Sequence, residues 1–140
     1  MAKLNRSDAF ARYGATLKNV MWSCSAWALD GSLVVSMWAH HYRKGPGGTA
    51  EYFGSADRWK GPGNTEFRKN IATAQRNKSR IRLIVSRTDN PSLVEAGGDA
   101  STTKNEFVVR DDLIGEVAEF DETNYVLRFA ILKPEGTFKK

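Results

Sequence analysis

Cysteine and histidine are scarce in this chain: one cysteine and two histidines in 140 residues. Cys24 has no internal disulfide partner, which suits a reducing cytoplasm, the compartment expected here. Lying within an apolar stretch, it reads as a small core residue rather than a nucleophile. His40 and His41 are neighbours in a segment that reads as extended, so their rings are expected on opposite faces, unable to share one ion. With no third histidine and no second cysteine, no metal site and no cofactor are expected. Apolar runs stay far below the roughly 20 residues of a membrane helix, and the N-terminus MAKLNRSDAF has no signal-peptide core, so no membrane is expected as a partner. Catalytic signatures are missing as well. There is no Gly-x-Ser-x-Gly elbow, and GPGGTAEYFG is not followed by the Lys-Ser or Lys-Thr of a phosphate-binding loop. The one dense acidic stretch, Arg110-Asp111-Asp112, has no Glu-x-Lys partner for a magnesium nuclease. No catalytic residue is assigned, and an enzyme acting on a base or nucleotide would have to rely on His40 as acid or base.

What the chain does have is enough apolar residue, 41%, to build a core, at a length that fits one domain. Residues 1–132 are expected to form that domain and 133–140 a flexible tail. Charge is unevenly spread: the net formal charge is +2 over residues 1–57, +8 over 58–87 and −5 over 88–140. A strongly basic middle suggests an anionic partner.

The pattern predicts an α+β fold: a mostly antiparallel, curved sheet of five to seven strands, one main helix packed on it and a short N-terminal helix. That short helix is capped by Ser7 or Asp8 and ends at Gly14. Asp30-Gly31 predicts a two-residue hairpin turn in which Leu29 pairs with Ser32. In that register Val20, Trp22, Cys24, Ala26 and Ala28 share a core face with Leu33, Val35, Met37 and Ala39. Met21, Ser23, Ser25 and Trp27 then share the other face with Val34, Ser36, Trp38, His40 and Tyr42. Residues 43–64, with two Gly-Pro-Gly turns, read as a long loop or lid holding a short strand near Glu51 to Phe53. A helix from Asn64 or Thr65 to about Lys78 carries Phe67, Ile71 and Ala74 as its apolar stripe. Residues 80–87 form a buried strand with Ile81, Leu83 and Val85 on one face. Further strands are expected at 106–110, 113–120 and 125–132, after a mobile stretch 95–105.

Trp27, Trp38, His40, Tyr42, Ser25 and Ser36 therefore form a candidate stacking pocket, with Arg43, Lys44, Arg58, Lys60, Arg68, Lys69 and Arg76 as candidate phosphate contacts. Rings beside cations suit nucleic acid, because bases stack on the rings while the cations meet phosphates. Two tryptophans over serine hydroxyls are also suited to a base extruded from a duplex. The competing arrangement is a helix covering that face, with the serines leaving room for it.

GATLKNVMWSCSAWALDGSLVVSMWAHHY and FRKNIATAQRNKSRIRLIVSR resemble segments of small bacterial and phage proteins, some of them fused to HNH nuclease domains in restriction and defence. The likeness rests on Gly14, Asn19, Trp22, Ser23, Ser25, Ala26, Trp38 and the segment 67–87. It implies a DNA-associated module, such as a sensor of modified bases, with no catalysis carried over because no HNH segment is present. It also leaves open an alternative: a phage-encoded interaction or inhibitor protein acting on a host defence or nucleic-acid-binding complex, with a protein of a defence or restriction system as its partner.

Overall fold

The computed structural model describes residues 5–19, 23–97 and 105–131. The inward face expected for Val20 and Trp22, the outward one for Met21, the greater part of the mobile stretch and the tail 133–140 lie outside the described residues. The elements run α1 (Arg6–Ala11), β1 (Ser25–Trp27), β2 (Leu33–Trp38), β3 (Tyr42–Lys44), β4 (Ala50–Ser55), α2 (Pro62–Asn77), β5 (Ile81–Thr88), α3 (Pro91–Glu95), β6 (Asn105–Phe120) and β7 (Asn124–Ile131). All strands join one sheet in the order β1-β2-β5-β6-β7-β4-β3. Among the described residues only β2 and β5 pair in parallel, with α2 in the crossover that such a pair requires. The fold is α+β, with a mixed, mostly antiparallel sheet, one main helix and a short N-terminal one.

Local chemistry shifts several boundaries. Asn5, not Ser7 or Asp8, caps α1, its Oδ1 accepting from the Asp8 amide at 2.7 Å. α2 starts at Pro62, two residues before Asn64, because a proline in the first turn forfeits no helical hydrogen bond. Its stripe of Phe67, Ile71 and Ala74 packs, as patterned, on Leu33, Val35, Met37, Leu83, Leu127 and Phe129. β6 runs unbroken through Asp111-Asp112, where two strands are expected. The short strand expected near Glu51 to Phe53 within 43–64 is found as β4, longer than expected and paired on both sides, with β7 and with the edge strand β3, so that much of the expected lid has its backbone groups satisfied by the sheet.

The hairpin register differs by one residue. Ser25 pairs with Val35, Ala26 with Val34 and Trp27 with Leu33. Three residues, Leu29, Asp30 and Gly31, make the loop: the Gly31 amide donates to the Ala28 carbonyl, Gly31 takes a positive φ of 91°, and the Asp30 carboxylate accepts from the Ser32 amide at 2.9 Å. A single slip exchanges the faces. Ala26 and Ala28 now pack with Val34, Ile84 and the α1 residues Ala9 and Phe10, while Leu33, Val35 and Met37 meet α2. Polarity does not reveal this register, because β2 is covered on both sides: Leu33, Val34 and Val35 are all 0% exposed.

The connection from β2 to β3 sets the shape of the sheet. Only Ala39–His41 separates them, yet β5, β6, β7 and β4 lie between them in the sheet. Four residue steps reach roughly 14 Å, whereas five strand spacings along a flat sheet would need roughly 24 Å. The sheet must therefore curl until β3 comes back towards the end of β2.

The polar bond that joins β1 to α2 offers a test of the register. Trp27 Nε1 donates to Asn70 Oδ1 at 3.1 Å, and Asn70 Nδ2 donates to Ser25 Oγ at 2.9 Å. Asn70→Ala should lower unfolding free energy by about 1–3 kcal/mol, the cost of leaving buried partners unpaired, as read from urea denaturation. A two-residue-loop register, which turns Ser25 and Trp27 away from α2, leaves that variant near wild type.

Candidate functional site

The expected pocket does not assemble. Ser25 and Trp27 lie against α2 through Asn70, so for these two the covering helix is the arrangement found. Ser36 and Trp38 face the other side of the sheet, where Ser36 hydrogen-bonds Ser86 through their hydroxyls. The ring of His40 stacks on that of Trp38 with centroids 6.2 Å apart. Tyr42 lies elsewhere again, on β3, with its ring 5.7 Å from that of Tyr52. The one-residue slip is the physical reason: it sends the two tryptophans to opposite faces.

A different concavity is present. Where the sheet curls past the reach of α2, Ala39, Tyr42, Tyr52, Val85, Arg87 and Arg110 are among the residues lining a groove of about 440 Å³. Tyr42 is 49% exposed there, whereas Tyr52 is buried beneath it, and burial raises the Tyr52 phenol above its usual range. The Arg87 guanidinium forms no hydrogen bond or ion pair with the described residues, although Glu106 stands opposite it in the register. Arg110 is gripped by Asp112 through two bonds of 2.9 Å, which hold its guanidinium above and the Asp112 carboxyl below their ordinary ranges. Strand alternation puts Lys44 on the face of Tyr42. Of these, Tyr52, Arg87 and Arg110 were missed by the pattern. Arg87 was within reach: it continues the period-two series Ile81, Leu83, Val85.

Three of the seven candidate phosphate contacts are committed inside the fold. Arg43 pairs with Glu51 at 2.7 Å and lies over the Phe53 ring. Arg58 donates to the Val94 carbonyl and stacks on Trp59. Arg68 bonds Asn64, Asp57 and the Glu122 carbonyl. Lys44, Lys60, Lys69 and Arg76 are exposed and have no partner among the described residues.

The histidines depart from expectation most. Ala39–His41 is a turn of 3-10 helix rather than strand, so consecutive side chains are not thrown to opposite faces. His40 Nε2 and His41 Nε2 converge on the same atom, Glu95 Oε2, at 2.8 and 2.5 Å. Glu95 closes α3, and it reaches the histidines because β2 and β5 are parallel neighbours whose C-terminal ends open at one edge. Burial pushes the His41 imidazole below its ordinary range against the pull of Glu95. For Glu95, burial works upwards, but the two histidine bonds and Arg58 outweigh it and keep the carboxyl below the usual range. A neutral His41 donating from Nε2 leaves Nδ1 as a buried acceptor, and that atom has no partner among the described residues. Cys24 packs at the rim of the main core, and burial pushes its thiol up to about 12, which keeps it a poor nucleophile.

Comparison with models of known protein families, with curated protein sequences and with solved structures finds no match. No helix among the described residues is long and apolar enough to cross a membrane.

The ion-pair ladder accounts for Arg43 and is open to a pH test. Glu51, 3% exposed, accepts from Arg43 and Arg128, each at 2.7 Å, and these bonds hold its carboxyl below the ordinary range. A lowered folded pKa gives stability that is present above the unfolded value of about 4.3 and is lost as pH falls through the folded value. Glu51→Gln should therefore lower the thermal midpoint at pH 7, and the gap to wild type should close progressively in melts below pH 4.

Proposed function

We propose that the chain is a non-catalytic nucleic-acid-binding module that holds DNA in the mouth of its curled sheet. The observation that carries this reading is the uncovered concave surface where half-exposed Tyr42 stands beside Arg87, a cation unpaired among the described residues. An aromatic face offers sequence-tolerant stacking, worth about 1–3 kcal/mol per base, and unpaired cations meet phosphates with release of counterions. Lys44 extends the charge along β3, and Lys60, Lys69 and Arg76 add basic surface around α2. DNA is put before RNA on the resemblance read from the sequence alone, an expectation on which the comparisons with known proteins give no match. Selection of a modified base between two tryptophans is no part of the proposal, because those rings do not face each other.

Fluorescence anisotropy with labelled single-stranded and duplex oligonucleotides at two salt concentrations tests it. Tyr42→Ala should weaken binding by about 1–3 kcal/mol with an unchanged salt slope, since stacking releases no counterions. Lys44→Glu with Arg87→Glu should weaken binding to every sequence and flatten the slope, because phosphate contacts position the ligand without reading bases. If both variants fold and bind as wild type does, the groove is not the contact surface. Total lack of binding would favour a protein partner, for which the exposed acids Asp111, Asp112, Glu116, Glu119, Asp121 and Glu122 along β6 and its turn form the natural contact.

A further inference from the structure

We propose that His40, His41 and Glu95 form a Zn²⁺ site. Each contributes one donor atom, and the three donors lie within 4.8 Å of one another. Two imidazoles and a carboxylate suit a borderline cation such as Zn²⁺, and three protein ligands leave a fourth position open to water. The position agrees with the topology. The turn after β2 and the helix after β5 leave the C-terminal ends of two parallel neighbours, and in parallel α/β sheets that is the edge at which ligands are held. Two Nε2 atoms at 2.8 and 2.5 Å from one carboxylate oxygen already converge on a common centre.

The donors need a limited adjustment. Around a tetrahedral ion with bonds of about 2.0–2.1 Å, neighbouring ligand atoms stand roughly 3.3 Å apart, so the two imidazole nitrogens, within 4.8 Å of one another, must close in by movement of the exposed His40, and the carboxylate must withdraw by somewhat under 1 Å. Glu95 can do this: its side chain is 48% exposed and it ends a helix of five residues. His41, 8% exposed, is held by the core and fixes one side of the site. The group that opposes a cation is Arg58, whose charge bears on both His41 and Glu95 while it donates to Val94 and stacks on Trp59. Bound zinc would clip the β2–β3 connection to α3, with no call on the DNA reading above.

Tag-free protein, stripped with chelator and titrated with ZnCl₂ by calorimetry and by equilibrium dialysis, should take up one Zn²⁺ per chain and melt at a higher temperature with zinc than without. His40→Ala and Glu95→Gln, both at exposed positions, should each lower the affinity at least about tenfold and abolish the zinc-dependent rise in melting temperature while circular dichroism stays unchanged. Cys24→Ser should bind as wild type does. Absence of uptake by wild type, equal uptake by both ligand variants, which would mark an adventitious ion only, or loss of uptake in Cys24→Ser would overturn the proposal.

Discussion

A connection of three residues governs this molecule. Ala39–His41 has to join β2 to β3, although β5, β6, β7 and β4 occupy the places between them. The chain cannot span a flat sheet in so few steps, so the sheet curls, and the curl produces both features of interest. It leaves a concave surface beyond the end of α2, lined by Tyr42, Tyr52 and Arg87, and it tightens the connection into a 3-10 turn that aims two histidines at Glu95.

The layers on either side of the sheet explain why so few charged and aromatic residues remain available. α2 covers one face and engages Trp27 and Ser25 through Asn70; α1 and Ala15 to Leu17 cover part of the other around Val34 and Ile84. Arginines that look like surface contacts are spent on internal partners: Arg43 on Glu51, Arg68 on Asp57 and Asn64, Arg58 on Val94. An arginine in a strand or beside a helix finds carbonyls and carboxylates at planar, bidentate range, and each such bond removes it from the pool that can meet a ligand. Left outward are Lys44, Lys60 and Lys69, each a point charge on a flexible stem, together with Arg76 and Arg87.

Element types were largely legible, because each rests on local period and caps. The stripe Phe67, Ile71, Ala74 identifies α2, and Ile81, Leu83, Val85 identifies a strand. Register was not legible in the hairpin. Alternation of polarity reads register only where one face is wet, and β2 is dry on both. The error then carried into the site, separating Trp27 from Trp38. Glu95 had no local signal at all, since its neighbours ProSerLeuVal and the glycines after it describe only a short helix and a loop.

By itself the sequence determined the α+β class, the main helix and its buried stripe, the turn at Asp30 and Gly31, and the basic middle, because these follow from residue chemistry within a few positions along the chain. Tertiary structure decided which way each strand of the hairpin faced, which arginines were neutralised, and that His40 and His41 meet a carboxylate more than fifty positions away. Those depend on the parallel pairing of β2 with β5 and on the curl imposed by a short connection, and neither leaves a periodic trace in the residues it brings together.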